Sequence, residues 1–115
     1  MRVLLAVGVG LSLLAVAACS SSPTSTANSC GNSGANANVN TTSSNNFSPA
    51  SVTVTHGQTV CWQAGNVLHT VTDNGGAFDS DLPVGQIFVH MYATAGTYPY
   101  HCKIHAGMTG TVIVN

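Results

Sequence analysis

Charge is nearly absent from this chain of 115 residues, in which two Lys or Arg and three Asp or Glu make up 4% of the total. Arg2 falls in an apolar leader, so Lys103 is the one fixed cation left for the rest of the chain. A nucleic-acid binder needs a basic footprint, and that class is excluded. Long-range steering toward a charged partner is limited for the same reason. Catalytic groups are missing as well. Asp79 and Asp81 stand one residue apart, but no nucleophile, further acid or phosphate loop accompanies them. They read as a solvated loop, and the protein is expected not to be an enzyme. Beyond the leader, no run of helical periodicity is long enough to predict a helix.

The leader itself is distinctive. After Arg2, an apolar run from Val3 to Ala18 is broken only by Gly8, Gly10 and Ser12, the composition of a secretory signal rather than of a folded element. It closes on Val16-Ala17-Ala18-Cys19, and small residues directly before a cysteine resemble the bacterial lipobox. That resemblance implies cleavage before Cys19 and lipid attachment to it, so residues 1–18 are expected to be removed and the protein held at a membrane surface without spanning it. A plain signal peptide or an uncleaved anchor are the alternatives. The expected location is the periplasm or the outer cell-envelope surface.

Residues 19–34 are rich in Ser, Asn, Thr and Gly with almost no large apolar side chain. Such a segment buries too little surface to offset the entropy of ordering its backbone, and it is predicted to be a flexible tether. Residues 35–115 then form one small domain. Its texture is all-β: short β-branched and apolar runs, predicted as strands at 51–55, 59–63, 68–73, 87–93, 97–102 and 110–114, with a weak first strand near Val39. Gly-rich turns separate them. Alternation points Val52, Val54, Val60, Trp62, Val112 and Val114 inward. The 87–92 run is apolar on both parities and its faces stay unassigned. Pro99 cannot donate to a ladder, which predicts an edge or an interruption there.

Within this frame, Tyr98 to Val114 carries the pattern C-x2-H-x2-M as Cys102, His105 and Met108. A second imidazole, His69, lies upstream in the β-branched run Val67-Leu68-His69-Thr70-Val71-Thr72. Parity turns His69, Cys102 and Met108 inward, and all four candidate ligands, His105 included, are expected to face inward at strand ends. Two imidazoles, one thiolate and a weak thioether make the ligand set of a blue-copper electron-transfer site, with Cys102 as the soft, covalent partner and Met108 as a long axial ligand. Alone, His69 would more often be a satisfied core histidine and Met108 core filling; zinc capture is the alternative metal reading. His101 points outward by parity and reads as a solvated surface histidine. His56 sits in a turn and His90 in the ambiguous strand, and neither is expected to be a ligand. A dinuclear copper centre would need a second cysteine near Cys102, and there is none.

These residues resemble the cupredoxins, the small blue copper proteins. The likeness runs through Phe47-Ser48-Pro49, Gly57-Gln58-Thr59-Val60-Cys61-Trp62, His69-Thr70-Val71-Thr72, Gly96-Thr97-Tyr98-Pro99-Tyr100-His101-Cys102 and His105-Ala106-Gly107-Met108. The short ligand spacing is most similar to the amicyanin branch, and plastocyanin carries a longer loop. The resemblance implies a single-domain Greek-key β-sandwich with one copper ion per chain near one end, cycling between Cu(II) and Cu(I) as a one-electron carrier. It departs from many relatives at Leu68 and Ile104, where those have Pro, and at Cys61, a strand position that is usually free of cysteine.

If Cys19 is acylated and Cys102 binds copper, Cys30 and Cys61 are left over. In an exported protein the two either pair, pinning the tether to the sheet, or remain free thiols. With so little charge, docking on redox partner proteins of the envelope is expected to use an apolar patch around His105, formed by Leu68, Ile104 and Ala106. The protein is expected to be a monomer. A copper carrier for delivery or tolerance is the alternative function.

Overall fold

The computed structural model describes residues 29–115. The expected signal peptide and the proposed lipid site at Cys19 lie outside the described residues. Among the described residues, no helix is long and apolar enough to cross a membrane.

Among the described residues, nine strands build two facing sheets. A short 3-10 turn, Cys30–Asn32, precedes β1 (Ala37–Thr41), β2 (Phe47–Ser48), β3 (Ser51–Val54), β4 (Thr59–Gln63), β5 (His69–Asp73), β6 (Asp79–Leu82), β7 (Ile87–Met91), β8 (Gly96–His101) and β9 (Thr109–Val114). The first sheet has the order β2-β1-β4-β7 and the second β3-β9-β8-β5-β6. Two pairings are parallel, β1 with β4 and β3 with β9, and the rest are antiparallel. The fold is an all-β sandwich.

Alternation explains most of the burial. Val39, Val60 and Trp62 from the first sheet meet Val71, Leu82, Tyr100 and Val112 from the second, all fully enclosed. Trp62 lies at the centre, edge-on to Tyr100 with ring centroids 5.3 Å apart and tilted against Phe88 at 5.6 Å. The apolar run of β7 resolves here: Phe88 packs on the core, whereas Val89 and Met91 are exposed.

Three elements differ from the sequence expectation. Asp79 and Asp81 stand on β6, not in a loop, because Thr72 and Thr70 of β5 pair with them. With Leu82 as its one apolar residue, β6 has no period of its own to read. The two-residue β2 is likewise fixed by its partner, through Asn40↔Ser48 and Thr41↔Phe47. Finally, residues 30–34, assigned by composition to the tether, are attached to the sheet. Cys30 is joined to Cys61 by a disulfide, and its backbone N–H donates to Gln63 Oε1 at 3.1 Å. Cys61 points away from the core as its parity requires, yet it is fully enclosed, since this turn lies over it.

Pro99 sits at an interruption in the middle of a sheet. Pairing of β8 with β5 begins only at Tyr100↔Asp73, one residue later, while β8 and β9 stay paired through Pro99↔Thr111. The Pro99 carbonyl accepts from Asn74 N at 3.0 Å, beyond the end of β5. The Pro99 nitrogen faces the same neighbour but has no proton to return the bond, so the ladder between β5 and β8 stops at Asp73↔Tyr100.

Candidate metal centre

Strand ends bring the candidate ligands together. His69 is the first residue of β5 and Cys102 follows the last residue of β8. A tight loop then returns the chain into β9. Cys102 N donates to the Met108 carbonyl at 3.0 Å, and Met108 N to the His105 carbonyl at 3.3 Å. Gly107, at φ 78°, lies in the left-handed region that this reversal requires and that a side chain resists. Tyr100, two residues before the thiol, lies against Gly110, where an added Cβ would run into its ring and hydroxyl.

The donor atoms converge. His69 Nδ1 and His105 Nδ1 are 3.1 Å apart, and Cys102 Sγ is 3.6 Å from His105 Nδ1. All three lie within 4.8 Å of one another, the only such group of His, Cys, Asp or Glu among the described residues. His69 and Cys102 are buried, and His105 is partly exposed. Burial and then the neighbouring His105 push the His69 pKa below its ordinary value, against an opposing pull from the Thr42 backbone. His69 is thus held as a neutral ring with a lone pair to give. Its Nε2 is buried with no partner at hydrogen-bond geometry.

Two imidazole nitrogens and a thiol crowded together this way satisfy one another poorly, because a neutral imidazole offers one donor and one acceptor. A cation between them would engage all three lone pairs. Mixed N and S donors suit copper or zinc far better than the hard cations that prefer oxygen. The His69, Cys102 and His105 group could hold a copper ion.

Around this group, the Cys102 sulfur accepts the backbone N–H of Thr70 at 3.3 Å. Met108 is 1% exposed within the core, tied to the site through its backbone. Leu68 and Ile104 are about half exposed, at 47% and 50%, and Ala106 is exposed as well. His101 points to the outer face, its Nδ1 2.6 Å from Asn74 Oδ1. His56 Nδ1 lies 3.2 Å from the Asn115 carbonyl, and His90 packs among Phe78, Phe88 and Tyr92. Neither joins the donor group. Sequence reasoning missed Thr70, Thr72, Asp79 and Lys103 as neighbours of the site. The parity that turns the two threonines outward gives no sign that the ligand loop covers them.

The β-sandwich, with two histidines and a cysteine converging at one end, matches the cupredoxin fold. No family model matches the chain, and no curated protein does. Solved structures do. A purple cupredoxin from Nitrosopumilus maritimus shares 26% identity at TM-score 0.61, covering 69% of this chain and 99% of its own. Amicyanin from Paracoccus versutus shares 27% at TM-score 0.60, over 69% of this chain and 80% of its own. A reduced amicyanin variant shares 27% at TM-score 0.62, over 72% and 84%. Other amicyanin variants were solved in the Cu(I) form.

Proposed function

We propose that the protein is a type 1 copper protein that carries single electrons at the bacterial cell envelope. The observation that carries this reading is the convergence of one thiol and two imidazole nitrogens within 4.8 Å at the end of a cupredoxin sandwich. His69, Cys102 and His105 are the three strong ligands, and Met108 is the weak axial one. A copper ion held there supplies a one-electron couple between Cu(II) and Cu(I).

The chain's own residues prepare the site for that task. His69 is fixed by β5 and Cys102 by β8 and the Thr70 N–H, so the donors keep their places whatever the charge between them. His105, on the loop, brings its exposed edge to the surface, flanked by Leu68, Ile104 and Ala106. A redox partner docks on this apolar rim, and the electron crosses through the His105 edge. Nothing in this task calls for a substrate pocket, and the protein acts as a carrier and not as an enzyme. Removal of residues 1–18 and lipid attachment at Cys19 would keep it at the membrane surface, tethered by the segment before Cys30.

A Cu(II) titration of the full chain, followed by visible absorbance, tests the reading with Cys102→Ala as control. An intense band that saturates at one copper per chain and is lost in the variant is the expected result. Weak colour, or binding that survives without Cys102, would replace it with the delivery or tolerance reading.

A further inference from the structure

A closed ring of hydrogen bonds lies over the outer face of the second sheet, directly behind the thiol. Lys103, the residue after Cys102, donates its backbone N–H to Thr70 Oγ1 at 2.8 Å. Thr70 Oγ1 is 3.0 Å from Thr72 Oγ1, and Thr72 Oγ1 donates to Asp79 Oδ1 at 3.0 Å. The Lys103 side chain closes the ring, with Nζ 2.6 Å from Asp79 Oδ2.

The direction of every proton in this ring is determined. An ionised carboxylate only accepts and a backbone amide only donates. Asp79 is ionised, its carboxyl held below the usual range by the Lys103 ammonium and then the Thr72 hydroxyl. Thr72 must therefore give its proton to Asp79, which leaves its oxygen to accept from Thr70. Thr70 in turn has its oxygen free for the Lys103 amide. Each bond in such a one-way chain polarises the next. Its middle is shielded from water, since Thr70 is 2% and Thr72 9% exposed, while the ion pair at its end is half open to solvent.

The ring joins the residue after His69 to the residue after Cys102, and Thr70 supplies both ends of that connection: its hydroxyl takes Lys103 N, and its own N–H reaches Cys102 Sγ. Lys103 is the only Lys or Arg among the described residues, and it is committed to this contact. We propose that Thr72, Asp79 and Lys103 are positioning residues that lock the Cys102 thiol opposite His69 before any metal arrives. The proposal rests on the reading of Cys102 as a ligand for its purpose, but the lock itself belongs to the metal-free protein.

The test uses the full chain without metal, comparing Thr72→Val with Thr72→Ser. Two rates are read: amide hydrogen exchange at Lys103, and reaction of the buried Cys102 thiol with a thiol reagent. Loss of one sheltered hydrogen bond predicts both rates to rise about tenfold in the Val variant. Exchange in β1 and β4 stays unchanged, and Ser restores both rates. Asp79→Asn, which keeps an acceptor but removes the charge, gives an intermediate rise and covers the case of a Val variant that folds poorly. Unchanged rates at Lys103 and Cys102 in both variants, or a Ser variant that fails to restore them, would overturn the proposal. Should the parent chain protect its thiol in this way and yet give no thiolate band with Cu(II), the lock stands and the electron-carrier reading falls.

Discussion

The two sheets share one core but close their outer faces by opposite means. On the first, a covalent bond does it: Cys30 is tied to Cys61, and the Cys30 amide is held by the Gln63 side chain. On the second, the cover is a polar ring running from the ligand loop through Thr70 and Thr72 to Asp79. Each candidate ligand lies on the second sheet or on the loop leading into it, and none on the first. The covalent bond serves the stability of a small domain with a modest core, whereas the adjustable bonds stand where geometry around a thiol matters. Stability and site should therefore respond separately to substitution.

The most severe break in the comparison is Cys102→Ala. It should abolish the visible thiolate band entirely while lowering the stability of the metal-free chain only slightly, read by absorbance and by urea unfolding. The reverse result is expected on the other sheet. Replacing Cys30 and Cys61 together by Ala releases a cross-link of sequence separation 31. The loop-closure relation gives about 3–4 kcal/mol for that release, visible as a lower denaturation midpoint. One copper per chain and an unaltered band should persist in this double variant; a lost band would end the division of labour.

Gly110→Ala crosses the boundary, because the added methyl runs into Tyr100, which packs on Trp62 and precedes the thiol by two residues. Overpacking of this kind costs about 1–3 kcal/mol. Tyr100→Leu should relieve the contact, so that the double variant loses less than the sum of the single ones in a denaturation cycle.

Acid offers a gentler probe of both sheets at once. His69 on the second and His90 on the first have pKa values lowered by burial, in His69 further by His105 and in His90 partly offset by Asp73. The unfolded chain then binds more protons than the folded one below about pH 6.5. Stability from these neutral rings is complete above that pH and is lost as the pH falls through the lowered native values. Unfolding midpoints of the metal-free chain at pH 7.5 and 5 should show the loss. His90→Leu should remove the share of the first sheet and leave that of His69. The smallest effect is expected from salt, since electron transfer to a partner that docks on Leu68, Ile104 and Ala106 should scarcely change in rate with ionic strength, and a steep fall would place the docking surface elsewhere.

What could be read from the sequence depended on whether a residue's role was local. Val60 with Trp62 and Val112 with Val114 announce their faces by period, and Cys102 with His105 announces two members of the donor group by spacing. The start of the packed body was hidden, because Cys30 is placed by a partner 31 residues away and not by its own polar neighbours. Asp79 and Asp81 gave no strand signal, since their backbone is organised by β5. Thr70 and Thr72 looked like solvent-facing strand residues. Only the return of the loop over them makes them part of the site, and that is a contact between distant segments with no mark in either.

The position of β9 carries a consequence for how the protein comes into being. It follows every other described strand in the chain, yet it lies second in its sheet, between β3 and β8. The parallel pairing of Ser51 with Thr111 and of Val54 with Val114 spans most of the domain. Contacts at such separation form late, after the entropy of closing a long loop has been met. A chain in which β9 has not yet docked thus has the Cys102 thiol without the hydrogen bond from Cys102 N to the Met108 carbonyl that frames it, and the donor group is held in place only once the chain is paired through Val114.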